Sequence, residues 1–117
     1  MPKGLGRAAE DYALAFLERQ GLKLVERNWR CRYGEIDLIF KDRATLVFAE
    51  VRCRRSARFG GALESVDKHK QTRLIRAANH YLAAHAGDAP VRFDVLALTP
   101  TCQGFQVEWI KNAFEAP

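Results

Sequence analysis

The stretch GEIDLIFKDRATLVFAEVRCR, residues 34–54, has two apolar runs separated by a short polar segment, a pattern typical of a β-hairpin. Acidic residues interrupt both runs, at Glu35 and Asp37 in the first and at Glu50 in the second. Charges inside otherwise apolar strands need a physical reason, because a buried carboxylate without a partner is costly. These acids are therefore the first candidates for a functional site.

Patterns on both sides of the hairpin predict two helices and three further strands. Apolar residues three and four positions apart indicate the helices, and alternation indicates the strands. In chain order the expected elements are a helix at 5–20, strands at 22–30, 34–41 and 45–53, a helix that begins after Ser65 or Asp67 and ends before Ala86, and strands at 91–98 and 105–110. The hairpin turn is expected at Asp42 and Arg43. A long crossover helix between strands predicts an α/β fold, a mixed sheet flanked by helices in the order αβββαββ.

Length and composition limit the class of protein. A chain of 117 residues with 48% hydrophobic residues is typical of one folded domain, which we expect to span 1–117. The apolar runs are far shorter than the roughly 20 residues that cross a bilayer, and residues 1–11 lack the apolar stretch of a secretory signal. The three cysteines have no CxxC spacing, so we expect reduced thiols. These features predict a cytoplasmic protein that does not enter a membrane.

Positive charge is concentrated in one part of the chain. The formal net charge is +5, yet residues 52–76 carry eight basic and two acidic side chains. Clustered cations favour a polyanion, because neutralising its phosphates releases counterions. A solvated surface is an equally open alternative. The candidates for nucleic-acid contact are Arg52, Arg54, Arg55, Arg58, Lys68, Lys70 and Arg73.

The register of the hairpin decides whether the acids meet. Side chains alternate along a strand, so Asp37 is expected on the face opposite Ile36 and Leu38. If the loop has an even number of unpaired residues, Asp37 and Glu50 fall on the same face, and a two-residue loop at 43–44 would place them directly opposite each other. Facing carboxylates repel and destabilise a sheet unless a positive charge, such as a divalent metal ion, lies between them.

Two carboxylates of this kind suit the metal site of a hydrolase. Their hard oxygens favour Mg²⁺ or Mn²⁺, which keeps coordination positions for water and phosphate and could assist phosphodiester hydrolysis. The alternative is that Glu35 and Asp37 face solvent and that Glu50 pairs with Arg52 or Arg54. The spacing alone leaves both interpretations open.

Blocks along nearly the whole chain are similar to those of one family. The chain resembles the YraN family of small bacterial proteins, which are similar to archaeal Holliday-junction resolvases and belong to the PD-(D/E)XK nuclease-like superfamily. The resemblance implies a restriction-endonuclease-like fold. It rests on blocks that occur in the family's order: GRAAEDYALAFLERQGL, RNWRCRYGEIDLIFKD, LVFAEVRCR, ALESVDKHKQTRLIRAANHYL and VRFDVLAL.

The resemblance implies roles for individual residues. Asp37 in GEIDLI matches the superfamily's first metal-binding aspartate, and Glu50 in AEVR matches the acidic residue of the (D/E)XK element. Glu10 matches an acid that resolvases use near the metal, and Glu35 is a further candidate. Arg52 stands where the motif has lysine, and a guanidinium that stays protonated cannot exchange a proton with water.

A lysine from elsewhere in the chain could compensate for this departure. Lys68 or Lys70, at the start of the second helix, could supply the ammonium, and Gln71 is a further candidate near the site. The catalytic set implied is Asp37, Glu50, Arg52 and Lys70, and the metal ligands implied are Glu10, Asp37 and Glu50, with Mg²⁺ or Mn²⁺ as the cofactor.

Three classes of function follow from these residues. The leading expectation is a metal-dependent, resolvase-like endonuclease whose partner is nucleic acid, in particular DNA. Arg52 makes a non-catalytic nucleic-acid-binding module the alternative, and a protein-interaction adaptor is the third class. The resemblance also implies a homodimer, because a four-way junction has two-fold symmetry.

Overall fold

The computed structural model describes residues 3–54, 66–85 and 87–115. Its elements are α1 (Lys3–Arg19), β1 (Lys23–Cys31), β2 (Gly34–Asp42), β3 (Thr45–Cys53), α2 (Lys68–His85), β4 (Val91–Thr101) and β5 (Gly104–Phe114). The α/β class and the order αβββαββ are confirmed. Strands β4 and β5 are longer than the sequence pattern predicts, because they pair with each other as far as their two-residue turn.

All five strands form one mixed sheet in the spatial order β1-β2-β3-β4-β5. The first three strands form an antiparallel meander, and β4 and β5 form an antiparallel hairpin. Strands β3 and β4 are parallel, so the chain must return to the starting end of the sheet between them. Helix α2 lies in this crossover.

The helices cover opposite faces of the sheet, because alternate residues of β3 and β4 point to different faces. The buried residues on the α1 side are Ala9, Ala13, Leu17, Leu22, Leu38, Phe40, Val47, Ala49, Leu96 and Leu98. Those packed with α2 are Ile36, Ile39, Phe48, Ala77, Ala78, Tyr81 and Phe93, with Val66, Leu74, Val95 and Ala97 beside them. The result is a three-layer arrangement with the sheet in the middle.

Both helices have defined ends. Helix α1 stops at Gly21, whose φ of 94° suits glycine, and the N–H of Leu22 donates to the carbonyl of Leu17 at 3.1 Å. Helix α2 is capped by Asp67, whose carboxylate accepts the N–H of Lys70 at 2.8 Å. The cap fixes the helix start, and with it the position from which the Lys70 side chain extends.

The β2–β3 hairpin has the register that brings its acids together. Asp42 pairs with Thr45 as the last residue of β2, so the loop consists of residues 43–44 and the turn predicted at Asp42 begins one residue later. The ladder continues to Leu38 opposite Ala49, so Asp37 and Glu50 are the next residues on the two strands.

The face predicted for one residue of β2 is wrong. Ile36 packs with Ile39 in the cluster beneath α2, whereas strict alternation places it with Leu38 on the other side. The ladder between β2 and β3 ends at Leu38, so beyond this point the partner strand no longer holds β2 in a regular pleat.

The cysteines and helices agree with the expectations from composition. Cys31 and Cys53 are half-buried, Cys102 is exposed, and all three are free thiols. Within the described ranges, neither helix is long and apolar enough to cross a membrane.

A second acid inside the sheet, Asp94 in β4, has a structural role. Its side chain is fully buried and accepts hydrogen bonds from the guanidinium of Arg92, from the indole N–H of Trp109 at 2.9 Å and from the backbone N–H of Asn112 at 3.0 Å. The β4–β5 register shifts at this position. Asp94 therefore joins the two strands where their ladder is interrupted, and its hydrogen bonds raise the pKa of Arg92.

We expect Asp94→Ala to lower the free energy of unfolding by about 3–5 kcal/mol, because it leaves two N–H donors without their acceptor and removes one of the two carboxylates that pair with the partly buried Arg92. Equilibrium urea denaturation measures the loss. Asp88→Ala, which removes an exposed loop carboxylate, is the matched control and is expected to stay within about 0.5 kcal/mol of wild type. A loss below about 1 kcal/mol for Asp94→Ala would contradict the structural role.

Candidate metal centre and nucleic-acid interface

The site begins with two acids at the end of the β2–β3 hairpin. Asp37 is partly buried, and its Oδ2 accepts the backbone N–H of Val51 at 2.8 Å. Glu50 is only 5% exposed. The two carboxyl groups are close enough to share a hydrogen bond. The structure therefore brings together the pair that the hairpin register predicts.

Two further acids complete a cluster around Asp37. Glu10 from α1 and Glu35 from β2 each offer a carboxylate oxygen, and with one from Asp37 these atoms lie within 4.8 Å of one another. Of the predicted metal ligands, Glu10 and Asp37 belong to this cluster, and Glu50 faces Asp37 from β3. Glu35 belongs to the cluster as well.

The sequence analysis does not identify Asn28, which connects Glu10 and Glu35. Its side-chain amide donates to Glu10 at 2.9 Å and to Glu35 at 2.8 Å. Asn28 has a φ of 53°, a left-handed conformation that asparagine tolerates better than most residues. An asparagine within a strand-like pattern was the available signal, but only the folded structure shows which acids it joins.

Cations hold Glu50 from one side. The Nζ of Lys70 lies 3.2 Å from Oε2 of Glu50, and the Nη1 of Arg52 lies 3.9 Å from the same oxygen. Lys70 therefore reaches the site from α2, as anticipated for a lysine from that helix. Arg52 approaches Glu50 less closely than Lys70 does, and Arg54 pairs with Glu108 of β5 at 2.7 Å.

Asp37 is the acid without a neutralising cation among the described residues. Arg27 lies 3.7 Å from Glu10, and Arg30 lies 3.4 Å from Glu35. Burial and the charge of Glu50 raise the pKa of Asp37 from 3.8 to about 9, and the Val51 N–H lowers it only in part. Asp37 therefore holds a proton at neutral pH when no metal ion is bound.

The acids open into a cleft of about 210 Å³ between the hairpin and α2. Its lining residues are Gly34, Glu35, Asp37, Glu50, Lys70, Arg73 and Leu74. An adjoining pocket on the α1 side of the same acids includes Glu10 and Arg52. Acidic and basic side chains thus share one accessible cavity, as binding a metal ion and a phosphate together requires.

The remaining sequence candidates lie outside this cleft. Lys68 is exposed at the start of α2 and is not among the residues that line it. The side-chain amide of Gln71 donates to the carbonyl of Val66 at 3.0 Å, which caps the local backbone. Arg55 and Arg58 lie outside the described residues.

The donor set suits a hard divalent cation. Carboxylate oxygens are preferred by Mg²⁺ and Mn²⁺, and Asp37 and Glu50 would hold the ion with Glu10 or Glu35 in support. A divalent charge beside Asp37 would supply the cation that this carboxyl lacks and would displace its proton. The residues therefore fit a metal ion.

The chain is similar to an established sequence family over most of its length. Residues 9–98 match the family described as "Uncharacterised protein family UPF0102". A UPF0102 protein of Methylococcus capsulatus is 52% identical over 111 residues, which cover 95% of this chain and 90% of that protein. UPF0102 proteins of Nitrosomonas europaea and Alcanivorax borkumensis are 54% and 55% identical, over 94% and 96% of this chain and 92% of each relative.

We expect Asp37 to make a contribution to the stability of the metal-free protein that is lost as the pH rises from about 4 to about 9. The folded protein keeps the Asp37 proton in this range, whereas the unfolded chain has lost it, so the contribution is complete at low pH and is lost as Asp37 ionises. Asp37→Asn removes the ionisable group, so the free energy of unfolding of this variant should fall less steeply with pH than that of wild type. The two slopes should differ by up to about 1.4 kcal/mol per pH unit.

Urea denaturation of both proteins in EDTA across this range measures the difference in slope. Asp88→Asn serves as the control, because its exposed carboxylate lies in a loop. Parallel curves for wild type and Asp37→Asn would contradict the raised pKa.

Proposed function

The chain belongs to the UPF0102 (YraN) family, and from this membership and the acidic cleft we propose that it is a metal-dependent nuclease acting on DNA. The observation that carries the proposal is Asp37, a carboxyl surrounded by three other acids with no cation of its own among the described residues. A carboxyl so placed is costly for the fold unless a ligand offsets the repulsion. Mg²⁺ or Mn²⁺ is the ligand that this donor set favours.

The side chains at the cleft would have different roles in phosphodiester hydrolysis. Asp37 and Glu50 would hold the metal ion, which when bound lowers the pKa of water and offsets charge on the phosphate. Glu10 and Glu35 add negative charge to the same centre, and Asn28 keeps their carboxylates oriented. Asp37 must release its proton to bind the metal ion, so both metal binding and activity are favoured at higher pH.

Lys70 supports the proposal because it supplies the ammonium that the superfamily motif has at the position of Arg52. Its Nζ lies 3.2 Å from Glu50, within the cleft that holds Asp37. An ammonium can give up a proton when its surroundings favour this, whereas a guanidinium cannot. We therefore assign proton transfer at the site to Lys70, and phosphate contact to Arg52 and Arg73.

A non-catalytic nucleic-acid-binding module is the second candidate function. Arg52 at the lysine position favours it, since a permanent cation binds phosphate without taking part in proton transfer. This candidate requires salt-sensitive binding of DNA without metal-dependent cleavage. Both candidates place the protein with DNA, in the cytoplasm.

We expect purified protein to cleave labelled duplex, single-stranded or four-way DNA in Mg²⁺ or Mn²⁺, and Asp37→Ala to abolish cleavage. Asp88→Ala is the control and should cleave like wild type. Cleavage that persists in Asp37→Ala would remove the proposed site, and salt-sensitive binding without cleavage by wild type would favour the non-catalytic module. Mn²⁺ should also raise the melting temperature of wild type and not that of Asp37→Ala, which tests the metal site without activity.

We expect Lys70→Ala and Lys70→Arg to lower the cleavage rate by about 100-fold or more, because neither side chain can donate a proton as lysine does. Single-turnover cleavage with saturating enzyme measures the effect. Lys68→Ala is the matched control, since Lys68 lies on the same helical turn but does not line the cleft. Full activity in Lys70→Arg would show that Lys70 only contacts phosphate.

A further inference from the structure

A second concavity lies beside the acidic cleft, on the flank of α2 that faces the turn between β1 and β2. It is a shallow depression of about 520 Å³, open to solvent, and is lined by Tyr33, Arg76, Asn79 and His80. It has no acidic lining residue and includes none of the proposed metal ligands. Its chemistry therefore differs from that of the cleft.

One wall of this concavity is aromatic and held in place. The ring of His80 lies 5.9 Å from that of Tyr33 and 5.8 Å from that of Trp29, so Tyr33 is supported from within the fold. The guanidinium of Arg32 lies 5.0 Å over the Tyr33 ring and also donates to its hydroxyl at 2.9 Å. Tyr33 remains partly exposed, and a nucleobase that stacks on its ring would take the place of the Arg32 guanidinium.

The other wall carries positive charge that the described part of the fold does not neutralise. Helix α2 contains no acidic residue, and Lys68 and Lys70 lie near its N-terminus, where the helix dipole disfavours cations. Lys70, Arg73 and Arg76 follow each other at three-residue intervals on neighbouring positions of the helix surface. Among the described residues, no acid pairs with Arg73 or Arg76.

The cleft and the concavity are neighbours across Arg73. This residue lines the cleft, and its guanidinium lies 3.6 Å from where a Cβ on Gly34 would stand. Gly34 directly follows Tyr33 in the chain. From Lys70 to Arg76 the helix rises about 9 Å, at about 1.5 Å per residue.

We propose that the concavity bounded by Tyr33, Arg76, Asn79 and His80 binds an unpaired base of a nucleic-acid strand whose neighbouring phosphate lies in the acidic cleft. Tyr33 stacks on the base, Arg76 contacts the adjoining phosphate, and the Asn79 amide can hydrogen-bond the base edge. The base must be unpaired, because a duplex covers both faces of each base. This inference rests on the proposed function and specifies single-stranded or junction-flanking nucleotides as its substrate class.

The test compares the binding of a fluorescent eight-nucleotide dT strand with that of an abasic strand of equal length, by anisotropy in EDTA. Wild type is expected to bind the dT strand about tenfold more tightly. Tyr33→Ala should lose this preference and bind both strands alike, whereas Tyr33→Phe, which keeps the stacking ring, should retain it. Equal binding of both strands by wild type, or an unchanged preference in Tyr33→Ala, would overturn the subsite.

Arg76→Ala tests the phosphate contact separately. Its site is an exposed helix position where alanine is well tolerated, so the fold is expected to remain intact. The variant should bind both strands more weakly, by the same factor. It should also lower the magnitude of the slope of log affinity against log salt concentration by about one. Lys41→Ala, at the other end of β2, is the matched control and should leave the slope unchanged. A slope in Arg76→Ala that equals that of wild type would overturn the contact.

The two proposals fail in different ways. Metal-dependent cleavage by wild type but not by Asp37→Ala would support the nuclease. If Tyr33→Ala still prefers the dT strand in that case, only the base subsite is overturned. If wild type prefers the dT strand but does not cleave DNA with metal, the base subsite is supported and the nuclease proposal is overturned. Equal binding of poly-glutamate and the dT strand would indicate an acidic partner and would overturn the subsite.

Discussion

Repulsion between the facing carboxyl groups of Asp37 and Glu50 is the constraint on which the site depends. The two-residue loop and the ladder as far as Leu38 and Ala49 bring these two acids together at the end of the hairpin. The fold responds locally in two ways. The Val51 N–H donates to Asp37, and Lys70 approaches Glu50. Neither group compensates for the burial of Asp37 and its nearness to Glu50, so the pKa of Asp37 stays raised, and a cation there would favour its ionised form.

The three-layer architecture explains why the remaining groups reach this point. Helix α1 covers one face of the sheet and brings Glu10, while α2 covers the other face and brings Lys70. Both helices approach the end of β3, the strand whose parallel partner requires the crossover. Ligand sites in open α/β sheets commonly lie at the carboxyl ends of parallel strands, because helices begin and chains diverge there. Asp94 shows the opposite case, since its buried carboxylate is fully used by donors within β4 and β5.

One side of helix α2 packs in the core, and another side lies on the surface. Leu74, Ala77 and Tyr81 are buried against the sheet, and this apolar stripe accounts for the stability of a helix whose charges would otherwise repel. The helix has no acidic residue, so the charged side chains on its flank are all cations. The fold tolerates this unfavourable charge, and a polyanion lying along the flank would relieve it. The acidic cleft and the basic flank are thus complementary parts of a surface that suits a metal-bound phosphate backbone.

The sequence by itself determined the element order, because periodicity is a local property of the chain, and it showed that a two-residue loop at 43–44 would bring Asp37 and Glu50 together. It also indicated a lysine from α2, although not which of Lys68 and Lys70 reaches Glu50. Only the tertiary structure decided that choice, since it depends on the rotation of α2 against the sheet. The same holds for Asn28 between Glu10 and Glu35, and for Tyr33 beside Arg76, whose partners come from different elements. Packing of helices on the sheet sets these distances, and no spacing along the chain encodes them.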